Sequence, residues 1–264
     1  MGFEGATLPK TVTAETVLSV RHFTDRLFQF RLTRPAAFRF RSGEFIMLGL
    51  MDGARPLLRA YSVASPAWDE GLDFYSIKVQ DGPLTSRLQS IVAGDTVLLG
   101  KKPTGTLVLD ALSPGRTLYM LSTGTGIAPF ASLIREPEVY ERFDKVVLTH
   151  SCRLVAELAY GQDLMATIAD DPLVGEDAAE KLVYYPSVTR EAFERQGRIT
   201  TLIDTGQIFQ ELGLARFDPA VDRVMICGSM EMLNDLRERV EASGLVEGSN
   251  SRPGDYVYEK AFAG

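Results

Sequence analysis

Cysteine and histidine are both scarce in this 264-residue chain. Its two cysteines, Cys152 and Cys227, provide no disulfide framework, no zinc cluster and too few thiolates for an iron–sulfur centre. Its two histidines, His22 in the first strand region and His150 at a strand end, are expected to be structural and not catalytic. Any redox chemistry must therefore use a cofactor other than a metal cluster, and we expect no bound metal.

Long apolar runs are also missing. No stretch approaches the roughly 18 residues of a membrane-spanning helix, and the first residues show neither a basic region nor an apolar core of a signal peptide. The default expectation is a cytoplasmic protein without membrane contact, and a monomer. With 45% hydrophobic and 24% charged residues the composition is that of a globular protein, and a net charge of −7 disfavours nucleic acid as a partner.

The chain divides into two halves with different hydrophobic periods. From about residue 11 to 109, short strand-like segments alternate with turn signals at spacings typical of an antiparallel barrel. They are 16–20, 27–32, 44–50, 74–79 and 95–100. We therefore predict that residues 1–112 form a β-barrel domain.

After residue 112 the pattern changes to strand-then-helix units. Five nearly continuous apolar segments, separated by helical patterns, predict a five-stranded parallel sheet covered on both faces. They are 117–122, 145–150, 181–188, 223–228 and 255–262. The clearest helix is 230–244, with Ser229 as its N-cap and Gly244 as its terminator. We predict an α/β domain over residues 113–264.

Charge is distributed unevenly between the halves. Residues 1–103 contain 13 Lys and Arg against 10 Asp and Glu, a net charge of +3, whereas residues 104–264 contain 15 against 25, a net charge of −10. Most of the excess comes from Arg21, Arg26, Arg31, Arg34, Arg39, Arg41, Arg55, Lys101 and Lys102. This is either an ordinary solvated surface or a face that attracts an acidic protein.

A glycine-containing loop follows the first strand of the second half. In the sequence 122–130, STGTGIAPF, Gly124 and Gly126 allow close approach to a pyrophosphate, and Pro129 fits a first helical turn. The third glycine of a full dinucleotide fingerprint is replaced by Pro129, so the loop alone could also be a tight turn.

Basic side chains follow the next two strands. Glu141 and Asp144, at the spacing of the usual NAD-selecting acid, precede a strand and so lie at the wrong end of the sheet. At the carboxyl ends stand four other residues, namely Arg153, Thr189, Arg190 and Arg198. Guanidinium groups and a hydroxyl suit a phosphomonoester, which favours the 2′-phosphate of NADP, although each arginine could instead form a surface ion pair.

Two further motifs lie in the first half. Arg59 and Tyr61 are two apart and therefore share one face of a strand, where a cation and a ring could hold a planar cofactor and its phosphate. Thr85 and Ser86 follow the turn at Gly82 and precede a helical segment, either as an anion site or as an N-cap.

Taken in order, Arg59-x-Tyr61-Ser62, Gly82…Thr85-Ser86, the loop 124–129 and Cys227-Gly228-Ser229 resemble the ferredoxin–NADP reductase family over nearly the whole chain. The ending 258–264, YEKAFAG, resembles the bacterial ferredoxin/flavodoxin reductases. The resemblance implies FAD in the barrel domain and NADP(H) in the α/β domain. It also implies an enzyme that takes a hydride from NADPH and passes single electrons to ferredoxin or flavodoxin.

The resemblance also implies roles for individual residues. FAD would be held by Arg59, Ala60, Tyr61, Ser62, Tyr75, Ser76, Ile77, Lys78, Leu84, Thr85, Ser86, Thr125, Ala261 and Phe262. NADP would be held by Gly124, Thr125, Gly126, Arg153, Thr189, Arg190, Arg198, Cys227, Gly228 and Ser229. The residues nearest the chemistry would be Ser62, Cys227 and Glu259, although Cys227 could equally be a buried apolar residue whose role is packing.

The C-terminal tail departs from the plant-type pattern. Ala261 stands where those enzymes place an aromatic residue over the flavin, and Phe262 resembles the bacterial aromatic that stacks on the FAD adenine. The carrier would dock on the basic barrel side, so charge reversal at Arg31, Arg34 or Lys101 should slow carrier reduction and spare NADPH-to-dye activity. Two alternatives remain: the reductase component of an oxygenase or a flavin reductase, and a non-catalytic nucleotide-binding module.

Overall fold

A computed structural model of the protein describes residues 8–79 and 81–261 and contains two sheets. The first sheet is antiparallel, with its strands in the order β4-β3-β6-β1-β2-β5. Its strands are β1 (Val12–His22), β2 (Leu27–Thr33), β3 (Phe45–Asp52), β4 (Arg55–Ser62), β5 (Gly71–Ile77) and β6 (Thr96–Gly100).

Aromatic side chains close this sheet into a barrel. Phe30 of β2 stacks on Phe74 of β5 at 5.4 Å between ring centroids, and Tyr61 of β4 packs edge-to-face against Phe74 at 6.4 Å. The two edge strands are therefore joined through side chains, around a core to which β1 and β6 contribute Val17 and Leu99. The antiparallel barrel predicted from the sequence is confirmed.

The second sheet is parallel and five-stranded, in the order β11-β10-β7-β8-β9. Its strands are β7 (Thr117–Thr123), β8 (Lys145–Cys152), β9 (Leu182–Val188), β10 (Asp222–Gly228) and β11 (Tyr256–Lys260). Every residue of β10 is buried, as expected for a strand covered on both faces. The predicted parallel sheet is confirmed.

The helices are mostly short. They are α1 (Thr85–Leu88), α2 (Ala128–Leu133), α3 (Pro137–Arg142), α4 (Ala159–Ile168), α5 (Gly175–Lys181), α6 (Ile199–Asp204), α7 (Gln207–Leu212) and α8 (Met230–Ala242). Three 3₁₀ turns cover Leu109–Ala111, Gly124–Ile127 and Val155–Leu158. Within residues 8–79 and 81–261, no helix is long and apolar enough to cross a bilayer.

Helix α8 follows the sequence pattern closely. Ser229 is its N-cap and accepts a hydrogen bond from the Met232 amide at 3.3 Å. Leu236 and Val240 are fully buried on one face, and Gly244 has a φ of +90°, which ends the helix in the left-handed region.

The two sheets share a buried interface. The Ser132 hydroxyl of α2 donates to the Ser65 carbonyl at 2.7 Å, and both residues are fully buried. Tyr75 of β5 stacks on Tyr160 of α4, with ring centroids 4.1 Å apart. One hydrophobic core contains residues of both halves, including Leu27 and Ala64 with Phe130.

Candidate functional site

A cleft lies where the barrel meets the parallel sheet. It is bounded by the end of β4, by β5, by the turn after β7 and by the segment after β11. Its lining residues are Ala60, Tyr61, Ser62, Tyr75, Thr125, Ala128 and Ala261. All except Ala128 belong to the FAD set predicted from the sequence, whereas Phe262 lies outside the described residues.

The barrel wall of the cleft combines aromatic rings with polar atoms. Tyr61 is buried, and its hydroxyl accepts a hydrogen bond from the Ser76 hydroxyl at 3.4 Å. Burial raises the pKa of Tyr61, so the phenol is neutral. Ser62 is half-buried at the mouth of the cleft, and Ile77 packs against the shared core.

Two polar groups on this wall form few hydrogen bonds with the described residues. The Tyr75 hydroxyl is buried and has no hydrogen-bond partner in the part of the chain that the structure describes. Arg59 is half-exposed, and its guanidinium donates to its neighbour's carbonyl, Leu58 O, at 2.9 Å. A hydroxyl and a cation beside a ring-lined cleft fit an aromatic cofactor that carries phosphate.

The segment 82–86 contributes less through its side chains than the sequence suggests. Leu84 is fully buried in the barrel core, so only its backbone can reach a ligand. The Thr85 hydroxyl is occupied by both the amide and the carbonyl of Val79, at 3.3 Å each. Leu84 is the N-cap of α1 and no side chain caps this helix, so the N-cap alternative for Thr85 or Ser86 is wrong. Ser86 is half-buried, as is Lys78, which lies just past β5.

The glycine loop is a 3₁₀ turn that runs into α2, with Pro129 in its first turn. Gly124 has a φ of +54°, and no atom lies within 4 Å of where a Cβ would stand. Gly126 is needed for packing as well, because a Cβ there would overlap the Cys227 carbonyl. A Cβ at Gly228 would overlap side-chain atoms of Met232 and Thr123, so the ends of β7 and β10 approach each other closely at these glycines.

The end of β10 lies beside the tail. Cys227 is buried, and burial raises its pKa well above the ordinary value, so the thiol stays protonated and cannot act as a nucleophile. The Ala261 amide donates to the Gly228 carbonyl at 2.9 Å, which holds the tail against the cleft. Ser229 is exposed, and its hydroxyl is used as the cap of α8.

The Glu259 carboxyl on β11 contacts Thr106, in the segment between β6 and the parallel sheet. Its Oε1 accepts hydrogen bonds from the backbone amide of Thr106 and from the Thr106 hydroxyl, and its Oε2 is buried. Burial raises the pKa of Glu259 to about 7, an effect that the bonds from Thr106 partly offset. The carboxyl therefore titrates near neutral pH.

This titration predicts a pH-dependent stability. Because the pKa is higher in the folded protein than in the unfolded chain, the folded state binds the proton more tightly, and stability falls as pH rises from about 4.5 to 7. We expect Glu259 to lower the free energy of unfolding by about 2 kcal/mol between pH 5 and pH 8. Urea unfolding at both pH values should show this loss in the parent and a smaller one in Glu259→Gln. Equal losses in the two proteins would refute the assignment.

The predicted phosphate residues come together at the edge strand β9. The Arg190 amide donates to the Arg153 carbonyl at 2.9 Å, and the Thr189 amide donates to the Cys152 carbonyl at 3.0 Å, so β8 and β9 continue side by side. A hydrogen bond from the Gly197 amide to the Val188 carbonyl, at 2.8 Å, brings Arg198 to the same edge. The three arginines are exposed, and Arg198 forms an ion pair of 3.2 Å with Glu231 of α8.

The basic barrel surface is smaller than the sequence suggests. Arg31 forms ion pairs with Asp69 and Asp73, and Arg34 donates to the carbonyls of Phe38, Ala67 and Asp69. These two arginines hold the barrel loops together, so they are unsuitable for testing a docking surface by charge reversal. Lys101 and Lys102, which follow β6, are exposed.

His150 makes a contact with the glycine loop that sequence analysis missed. It is buried at the end of β8, where its Nε2 lies 3.1 Å from the Gly124 carbonyl and 3.2 Å from Cys152 Sγ. A thiol is therefore beside this histidine. Burial lowers the pKa of His150 to about 4 and raises that of Cys152 to about 12, so both groups are neutral and the expected structural character stands. The sequence feature that indicates this contact is the position of His150 on β8, the strand that follows the glycine loop in the chain.

Comparison with known proteins agrees with this geometry. Residues 120–238 match the family model of the oxidoreductase NAD-binding domain. The flavodoxin/ferredoxin–NADP reductase of Rhodobacter capsulatus is 58% identical, over 95% of this chain and 93% of that protein, and the ferredoxin–NADP reductase of Azotobacter vinelandii is 53% identical, over 94% and 96%. The crystal structure of a Neisseria gonorrhoeae ferredoxin NADP+ reductase with bound FAD and NADP superposes with a TM-score of 0.87 at 34% identity, covering 96% of this chain and 100% of that one.

Proposed function

Because this chain belongs to the ferredoxin/flavodoxin–NADP reductase family, we infer that it is a flavoenzyme that moves electrons between NADPH and ferredoxin or flavodoxin through FAD. When bound, FAD would supply the conversion between two-electron and one-electron chemistry. The observation that carries this function is a cleft in which Tyr61 and Ser62 of the barrel meet Thr125 of the glycine loop.

We propose residues 1–112 as the FAD-binding domain and residues 113–264 as the NADP-binding domain. In the first, Tyr61 packs against the flavin, Arg59 holds the pyrophosphate, and Tyr75 lines the pocket. The unpaired Tyr75 hydroxyl and the half-exposed Arg59 guanidinium support this assignment. Leu84 and Thr85 then contribute through their backbone, because their side chains are already engaged.

In the NADP-binding domain, the proposed role of the glycine loop is to orient the nicotinamide nucleotide, while Arg153, Thr189, Arg190 and Arg198 bind the 2′-phosphate. Cys227 excludes water and packs beside the nicotinamide, a role that its protonated thiol allows. Ala261 covers the flavin side of the cleft with a single methyl group. Access of the nicotinamide then depends on movement of the tail that hydrogen-bonds to Gly228.

Anaerobic titration with NADPH and, separately, NADH tests this function through the visible spectrum of the flavin. We expect bleaching at far lower NADPH than NADH. Equal or NADH-favoured bleaching would contradict the 2′-phosphate assignment and support the oxygenase-reductase alternative, which the relatives do not favour. Failure of the protein to bind flavin on reconstitution would contradict the enzyme function. It would support the alternative of a non-catalytic nucleotide-binding module.

The proposed docking surface for the carrier is the barrel side that includes Lys101 and Lys102. Both are exposed and follow Gly100 of β6, which lies beside the exposed Met47 of the neighbouring strand β3. Positive charge around an apolar side chain is suited to an acidic one-electron carrier. A cytoplasmic location and a monomeric state remain predictions from composition and family resemblance.

Charge reversal tests this surface. We expect Lys101→Glu with Lys102→Glu to slow flavodoxin reduction about tenfold at low ionic strength, because steering of an acidic partner is lost, and the difference should shrink in 0.5 M salt. NADPH-to-ferricyanide activity should be unchanged. Arg116→Glu, an exposed position just before β7 of the parallel sheet, is the matched control. A similar slowing in that control, or parallel loss of dye activity, would contradict the docking surface.

A further inference from the structure

The buried side chain of His150 joins two parts of the α/β half that are distant in sequence. Its Nδ1 lies 3.1 Å from the Tyr184 hydroxyl of β9, and its Nε2 lies 3.1 Å from the Gly124 carbonyl. The imidazole is fully buried. Gly161 of α4 makes room for it, because a Cβ there would lie 2.8 Å from Nδ1 and would overlap the Tyr184 hydroxyl.

The partners determine the tautomer of the ring. A peptide carbonyl only accepts hydrogen bonds, so Nε2 carries the hydrogen and donates it to Gly124. Nδ1 is then an acceptor, and the Tyr184 hydroxyl donates to it. The Cys152 thiol, 3.2 Å from Nε2, donates to the Glu157 carbonyl at 3.7 Å and so does not compete as a donor. Every polar group of this cluster has a consistent partner with the ring neutral.

The hydrogen bond from His150 to the Gly124 carbonyl involves one peptide group of the glycine loop, the one between Gly124 and Thr125. A trans peptide directs its carbonyl and its N–H to opposite sides, so a Gly124 carbonyl held toward buried His150 turns the Thr125 amide away from the core. Thr125 lines the cleft, and the space around Gly124 is open. Gly124 has a φ of +54°, and fixing a glycine in one conformation costs more entropy than fixing any other residue, so contacts must offset that cost to order this peptide.

We propose that His150 is a positioning residue for nucleotide binding, which fixes the Gly124–Thr125 peptide so that the Thr125 amide faces the cleft. This inference rests on the proposed function, since it presumes that the loop binds NADP(H). The loop is then held from two sides, by a hydrogen bond from β8 and by backbone packing of Gly126 against the end of β10. His150 does not touch the ligand and acts through the peptide.

A pair of amide substitutions separates the two nitrogens of the ring. In His150→Gln the side-chain amide places an N–H near the position of Nε2 and retains a donor for the Gly124 carbonyl. The shorter side chain in His150→Asn reaches only the position of Nδ1, so the hydrogen bond to Gly124 is lost. We expect the dissociation constant of NADP+, measured by perturbation of the flavin spectrum, to rise about tenfold in His150→Asn and less than threefold in His150→Gln. The rate of flavin reduction at saturating NADPH and the FAD content should change little in either.

The outcomes distinguish this inference from the proposed function. If the parent protein binds NADP+ and His150→Asn binds equally well, or if both variants weaken binding alike, the positioning role is wrong. If the parent neither binds NADP+ nor is bleached by NADPH, the proposed function itself fails. Amide hydrogen exchange of residues 124–127 is the second readout, and it should accelerate in His150→Asn and remain slow in His150→Gln.

Discussion

Replacing Arg190 and Arg198 together by alanine is expected to lower kcat/KM for NADPH about 100-fold and to leave kcat/KM for NADH nearly unchanged. Hydrogen bonds to a charged phosphate contribute about 1.5–3 kcal/mol each, and tenfold in rate corresponds to about 1.4 kcal/mol. Arg198 must first leave Glu231, so its net contribution is smaller than that of Arg190. Steady-state kinetics with both nucleotides measure the ratio.

The matched control for this prediction is Arg116→Ala. Arg116 is an exposed arginine in an ion pair, as Arg198 is, but it pairs with Asp144 before β8, at the end of the sheet opposite to the cluster. It should change neither nucleotide's kinetics. Equal losses with NADPH and NADH in the double variant would indicate a general structural defect. They would contradict the proposal that these arginines bind the 2′-phosphate.

Arg59→Ala is expected to weaken FAD binding by about 30- to 100-fold, so that much of the flavin is lost during purification. The physical reason is the removal of a charge-assisted contact to the pyrophosphate from a guanidinium whose observed partner is a backbone carbonyl. Fluorescence titration of the reconstituted apoprotein with FAD measures the dissociation constant. Arg59→Lys should recover part of the affinity, since it keeps the charge but not the planar donor pair.

Arg55→Ala serves as the control for Arg59, because Arg55 lies on the same strand at the exposed hairpin end, opposite Asp52. It should retain FAD. If Arg59→Ala keeps its flavin with parental affinity while its far-UV spectrum is unchanged, Arg59 has no role in the cofactor site and the pyrophosphate contact must come from another residue.

Hydrophobic periodicity predicted most of this fold. Contacts between side chains that are distant in sequence could not be predicted from it. Both sheets and helix α8 follow from local hydrophobic patterns, because burial on one or both faces dictates them. The ion pair between Arg31 and Asp69 could not be predicted from these patterns, because the two residues are distant in sequence. A count of charges also does not distinguish a paired arginine from a free one. The packing of Gly126 against Cys227 and the contact of His150 with Gly124 likewise exist only after β8 and β10 align beside β7.

The core shared by the two halves limits how freely they can be exchanged. Leu27, Ala64 and Tyr75 of the barrel are buried in the same cluster as Phe130 and Tyr160 of the other half. A chimera that joins the barrel of one relative to the nucleotide-binding half of another at residue 112 would create cavities or overlaps in that cluster wherever the two relatives differ at these positions, and both destabilise a core. The unit of recombination in this family is therefore a half together with the partner residues that complete its core, rather than a segment defined by chain connectivity.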